Sequence, residues 1–258
     1  MVANILKAEF YKQYSKKTAF ILPIIVFIIF LFLPLSLLLV AESMDLGYSM
    51  NAGTIMLFLT LIIALYIAYL FVIGIIPIMT PINIYGQDYN NNVIANTIAS
   101  GGKRSHIFWS KYLIANIHIT IYFIAAFIGA LISLIVFELV GDNSFAEVTY
   151  ESLGQSYDAL LSFLTVLNAI LGLFLTTSLS ILAITLTKNF VGAFFTTLGF
   201  LIVCNIPGVI LMNSYLADTI AYGTTNAYFE FTISIIFNIT FGTIALICAL
   251  LRFLKTDY

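Results

Sequence analysis

The sequence predicts an all-α polytopic membrane protein, with six transmembrane helices preceded by an interfacial helix at the N-terminus. Three observations predict it. Of 258 residues, 62% are hydrophobic and only 9% charged, where a soluble domain carries about 25%. The mean hydropathy is +1.08, and the apolar residues gather in six long runs. All 10 basic residues fall in the segments on one side of those runs. A soluble protein of this length could not cover its surface with so few charges. Water-soluble enzymes, disordered proteins and nucleic-acid binders are therefore excluded, and the bilayer is the main solvent.

The elements follow in order. Val2, Leu6, Phe10 and Tyr14 recur every four residues and make one apolar stripe, while Lys7, Lys12 and Lys16 can face water or lipid phosphates. That pattern predicts a short surface helix. The first apolar run, Thr18 to Ala41, is 24 residues long. A signal peptide has the same basic-then-apolar order, but its apolar region is about 7–15 residues, so this run is a retained anchor. The second run is Thr54 to Thr80, closed by the turn signals Pro77 and Pro81. Tyr112 to Phe137, Ala159 to Thr187, Phe190 to Met212 and Phe229 to Leu254 complete the six. Each can cross a hydrocarbon core of about 30 Å. Each should be helical, because an open strand in lipid leaves backbone groups unpaired. A β-barrel would instead show alternating segments of about 10 residues. No separate soluble domain fits in what remains.

Charge sets the orientation. Lys7, Lys12, Lys16, Lys17, Lys103, Arg104, Lys111, Lys188, Arg252 and Lys255 occupy the N-terminus, the connections after runs two and four, and the C-terminus. The opposite connections hold Glu42, Asp45, Glu138, Asp142, Glu147, Glu151, Asp158, Asp218 and Glu230, with no basic residue. The positive-inside bias then puts both termini in the cytoplasm. Moving one span in or out would break this separation.

The connection from Pro81 to Lys111 is the largest on the basic side. Gly86 and Asn90-Asn91-Asn92 suggest a turn. Asn92 to Ala99 reads as a short helix with Gly101-Gly102 as its stop. Lys103, Arg104, Lys111 and Trp109 read as residues of the lipid boundary. Without further information this is either a solvated connection or a partner-binding element. The acidic connection from Glu138 to Asp158 and the tyrosine-bearing one from Asn213 to Tyr228 carry no ligand signature.

Several chemistries are missing. Around Gly101-Gly102-Lys103-Arg104-Ser105, Thr97 stands where a P-loop needs its first glycine and Arg104 where it needs Ser or Thr. No zinc motif can form from His106 and His118 alone, and there is no nucleophile elbow. No metal site and no enzymatic activity is expected. Cys204 and Cys248 lie in apolar runs and read as small buried hydrophobes. Asp, Glu, Lys and Arg all sit in connections or near span ends, which disfavours ion coupling within the chain. Ala125, Gly129 and Ser133, and likewise Asn168, Gly172 and Thr176, form small-residue stripes suited to close helix contact. Asn205, Pro207 and Gly208 interrupt the fifth run, and broken helices are tolerated where they line a cavity. Asn205 and Pro207, with Tyr66 and Tyr69 on the second run, are candidates for a translocation path.

The basic N-terminal stretch contains Leu6-x-x-Glu9-Phe10-x-Lys12. After the second run come Gln87-Asp88-Tyr89-Asn90-Asn91-Asn92-Val93-Ile94-Ala95-Asn96-Thr97, then Gly101-Gly102-Lys103-Arg104-Ser105 and Lys111. This organisation resembles the ABC exporter permeases of the type-2 class, and in size and composition is similar to the small permeases of lantibiotic-immunity and phenol-soluble modulin export systems. Asp88 stands where that family usually has Glu, and Asn96 where a glycine often precedes the threonine. The resemblance implies a multi-pass subunit of the bacterial cytoplasmic membrane that pairs with a second permease copy or a paralogue and with a separate cytoplasmic ABC ATPase. ATP and Mg would then be bound by that ATPase, not by this chain. It implies that Gln87, Asp88, Tyr89, Asn92 and Thr97 couple to the ATPase, and that Arg104 and Lys111 anchor the restart of the third span at the headgroups. Glu9, Phe10 and Lys12 would belong to the interfacial helix, with Glu9 and Lys12 bracing it against the connection. The expected cargo is an amphipathic or hydrophobic peptide, with bacteriocin immunity as one setting. The alternative is a six-helix channel or secondary carrier that works without an ATPase.

Overall fold

The computed structural model describes residues 2–45, 74–91, 93–140, 159–204 and 227–255. Every regular element among them is helical: α1 (Val2–Tyr14), α2 (Thr18–Asp45), α3 (Ile76–Asn90), α4 (Val93–Ala99), α5 (Arg104–Val140), α6 (Ala159–Thr187), α7 (Phe190–Cys204) and α8 (Ala227–Lys255). Three of these described helices contain stretches long and apolar enough to cross a membrane, namely Arg104–Ser133, Val166–Thr187 and Thr232–Lys255. A fourth span is possible if α1 and α2 count as one bent element, their axes turning by 63° between Ile5–Tyr14 and Ala19–Phe32. Most of the second apolar run and the end of the fifth lie outside the described residues.

The starts of α2, α6 and α7 coincide with the starts of the apolar runs. At α7, Asn189 Oδ1 accepts from the Val191 N–H at 3.1 Å, an N-cap contact that satisfies one terminal donor. Lys188, with φ of 53°, makes the turn between α6 and α7.

The connection 81–111 is mostly helical: besides the short helix expected from Asn92 to Ala99, found at Val93–Ala99, it holds most of α3 and the start of α5. Among its described residues only Asn91 and Ser100 to Lys103 lie outside helices. Pro77 sits in the first turn of α3, where an N–H has no intrahelical partner in any case, and α3 continues through Pro81 to Asn90. Pro77 therefore falls at the start of this helix, while Pro81 and Gly86 lie within it. The turn follows at Asn91. α4 then ends on a two-bond glycine stop: Gly101 N–H donates to the Ile98 carbonyl at 2.9 Å and Gly102 N–H to the Thr97 carbonyl at 3.0 Å. Gly101 has φ of +92°, which a Cβ would strain. α5 begins at Arg104, eight residues before the apolar run, and its 37 residues span about 55 Å. That exceeds a core of about 30 Å, so it cannot lie wholly in hydrocarbon unless strongly tilted.

The chain divides into two compact units. One comprises Met1–Glu9, Pro77–Asn116 and Asp158–Tyr258. Its core is built by Ile78, Ile82 and Tyr85 of α3, Ile94 of α4, Ile107, Phe108 and Ile114 of α5, Ile181 and Ile184 of α6, Ala193 of α7 and Phe253 of α8, with Ile5 and Leu6 packed against it. Along the same unit, α6 and α8 pack through Leu175, Leu179 and Ala245.

The other unit comprises Phe10–Ile76 and Ile117–Tyr157. There Val26 and Ala126 join α2 to α5. The small-residue stripe of α5 serves this contact: a Cβ on Gly129 would lie 2.6 Å from the Phe27 carbonyl oxygen. His118 of α5 is buried, its ring 4.8 Å from that of Tyr14. Burial pushes the Tyr14 phenol above its ordinary pKa. The two cysteines are free thiols. Cys204 is half-buried, but Cys248 is exposed, which corrects the expectation of two buried cysteines: apolar surroundings in sequence do not say which face of α8 a residue takes.

Candidate functional site

In the first unit three charged side chains meet out of solvent. The buried face of α3 runs through Ile78, Ile82 and Tyr85, and Asp88 continues it one turn on. On α5, Lys111 occupies the stripe between Ile107, Phe108 and Ile114. Each polar residue thus takes a position that the helical repeat assigns to the core. Lys111 Nζ donates to Glu9 Oε1 at 2.8 Å and to Asp88 Oδ2. The side chains of Lys111, Glu9 and Asp88 are 1%, 11% and 0% exposed. Charges are tolerated at such depth only when paired. The trio ties α1, α3 and α5 together through one ammonium.

An aromatic layer and a cap belong to the same unit. Tyr85 OH donates to the Phe108 carbonyl at 2.9 Å. Its ring stands edge-on to Phe108 and Phe253, at 6.1 and 6.3 Å between centroids. Arg104 Nη1 donates to the Leu254 carbonyl at 2.7 Å. That carbonyl is in the last turn of α8, where it has no intrahelical donor and where a cation opposes the helix dipole.

The candidate residues therefore separate into those that hold the element together and those that face outward. Asp88 and Lys111 are buried, so Lys111 is no headgroup anchor, and Arg104 is engaged with α8. Hydropathy could not reveal this, because the partners of both cations come from distant segments. Gln87 is half-buried and its Nε2 donates to Asn83 Oδ1 at 2.7 Å. Tyr89 packs against the core. Thr97 Oγ1 donates to the Val93 carbonyl at 2.7 Å, within its own helix. From Gln87 to Lys103, the exposed residues among those described are Asn91, Asn96, Ala99, Ser100, Gly101 and Lys103.

On α1 the inward residues are Glu9 and Gln13, while Phe10 and Tyr11 are 44% and 76% exposed. The four-residue apolar stripe thus does not form the buried face. Leu6 reaches the core, Phe10 stacks on Tyr14 at 4.2 Å instead, and Lys12 is half-buried. Asn92, Tyr66, Tyr69, Asn205 and Pro207 lie outside the described residues, and with them the candidate translocation path.

One polar group was missed as a unit. Asn168 Oδ1 of α6 accepts from Ser234 Oγ and from Asn238 Nδ2 of α8, both at 2.9 Å. Asparagine in two apolar runs was the available signal, since an amide in hydrocarbon needs a partner on another helix.

Among the described residues, no group of three His, Cys, Asp or Glu side chains could hold a metal ion. The chain matches no family model, no curated protein and no solved structure.

Proposed function

We propose that this chain is the permease subunit of an ATP-driven exporter, with six spans, both termini cytoplasmic and α1 lying at the membrane interface. The observation that carries the reading is the build of the connection 81–111. It presents a short helix whose inner side, Ile94, is sealed in the core, whose outer side offers Asn96 and Ala99, and whose following turn offers Ser100 and Lys103. One helix back, Asp88 is clamped through Lys111 to Glu9. A force applied to the exposed side of α4 is thereby passed to α1 and α5 without slack, which a solvated connection would not do.

In this reading a cytoplasmic ABC ATPase docks on Asn96, Ala99 and Lys103. ATP and Mg bound to the ATPase supply the energy. The buried Asp88 and Lys111 transmit the displacement instead of touching the ATPase themselves. Two permease copies, or this chain and a paralogue, rock against each other and release an amphipathic or hydrophobic peptide to the outside.

The test is a search for an ABC ATPase encoded beside this chain and co-purification with it. Asn96→Trp and Ala99→Trp on the exposed side should abolish the complex while leaving the permease folded. Failure of wild type to bind any such ATPase, or equal binding by both variants, would sink the reading.

A further inference from the structure

The amide group between α6 and α8 is only half paired. A side-chain amide carries a carbonyl with two lone pairs and two N–H donors. Asn168 Oδ1 accepts from both Ser234 Oγ and Asn238 Nδ2, which fills it. Asn168 Nδ2 keeps both of its N–H groups, and Asn238 keeps its carbonyl oxygen and one N–H. Among the described residues neither asparagine side chain makes a further hydrogen bond. Both are half-buried, and neither amide is among the sealed polar atoms.

Position makes the unpaired set costly. Asn238 lies between Glu230 and Arg252 on α8, about 12 Å and 21 Å from them along the axis. Lipid tails at that depth supply neither donor nor acceptor, so an open amide needs a protein partner. The set is also self-complementary, with its spare donors on α6 and its spare acceptor on α8. A twofold axis beside the pair sets α6 of one copy against α8 of another. Asn168 Nδ2 of each copy then donates to the Asn238 carbonyl of the other. A peptide cargo could make similar bonds, but it would leave the amides open between transport events. α8 also has room for a permanent neighbour. Only 17% of its span is buried, against 33% and 50% in the other two candidate spans, and Ile236 and Ile239 beside Asn238 are exposed.

We infer that the α6–α8 pair is the surface on which a second, identical copy of this chain docks, joined by two reciprocal amide hydrogen bonds between Asn168 and Asn238. The inference rests on the permease pairing of the proposed function and names its surface and its partner. The ATPase takes no part in it.

The test uses full-length chains labelled at the C-terminus with donor or acceptor fluorophores and reconstituted in phosphatidylcholine vesicles. Association is read as energy transfer while the protein is diluted with lipid. Wild type should associate. Asn168→Leu removes the spare donors and Asn238→Leu the spare acceptor, so either variant by itself loses both reciprocal bonds. An interhelical hydrogen bond in a membrane is worth about threefold, and each variant should therefore associate roughly tenfold more weakly than wild type. Mixing the two variants restores one bond, from the Asn168 that one retains to the Asn238 that the other retains. The mixture should associate about threefold more strongly than either variant alone, a rescue that misfolded chains could not give. A monomeric wild type, variants that associate as wild type does, or a mixture no stronger than its components would each overturn the inference. Binding of the ATPase is read separately by co-purification through α4, so its failure would leave the docking surface standing, and the reverse.

Discussion

Two polar groups are set into apolar surroundings in the same unit, and they solve the problem differently. At Lys111 the solution is full charge: one ammonium between two carboxylates from separate helices. At Asn168 it is neutral amide chemistry, one carbonyl oxygen accepting from Ser234 and Asn238. The amide group can lose a member and leave only a dipole behind. The charged group cannot, because what remains is an unpaired ion. The comparison teaches that the trio is a stiff joint, intolerant of partial loss, while the amide group is an adjustable contact between α6 and α8.

Lys111→Met should break the comparison most strongly. It strands the carboxylates, and removing one partner of a buried pair costs roughly 3–5 kcal/mol, read as a fall in the unfolding midpoint in detergent. Replacing all three residues together, as Glu9→Met, Asp88→Leu and Lys111→Met, should cost far less than Lys111→Met alone, because well-packed apolar groups can substitute for a buried ion group. That triple variant would keep the fold but, on the proposed function, lose a specific joint, so stability and transport should part company.

Next in size is Gly129→Val, in the other unit, where a Cβ meets the Phe27 carbonyl oxygen at 2.6 Å. Overpacking of this kind costs about 1–3 kcal/mol, measurable in the same assay. Asn168→Leu removes the shared acceptor, and interhelical hydrogen bonds in membranes are worth on average about 0.6 kcal/mol. The gap between this effect and that of Lys111→Met is the sharpest form of the comparison, and comparable losses would refute it. Arg104→Gln should be of similar size to Asn168→Leu, about 0.3–1 kcal/mol from a lost charge at a helix C-terminus. It is best read as faster amide exchange in the last turn of α8.

Much of the helical layout was legible beforehand, and particular residues say why. Thr18, Ala159 and Phe190 begin helices where the apolar runs begin, because hydropathy and helix-starting signals act over a few neighbouring residues. Gly101 closes α4 as expected, since a left-handed position selects glycine locally. Pro77 misled because proline is read as an ending. In the first turn of a helix it is equally at home, and only the packed α3 distinguishes the two. Phe10 misled because a four-residue apolar rhythm does not say which face is inward, and on α1 the joint at Glu9 supplies part of that answer.

The candidate site divides along the same line. That this chain folds as helices, some long and apolar enough to cross a membrane, and segregates its cations along the sequence was determined by the sequence alone, because those properties are sums over local composition. That Glu9, Asp88 and Lys111 become one group was decided only by tertiary structure. Their separations along the chain, 102 residues from Glu9 to Lys111 and 23 from Asp88 to Lys111, leave no local trace. A lysine next to an apolar run looks like a headgroup anchor until the fold brings carboxylates to it, and the cost of burying a charge is settled by what surrounds it in space.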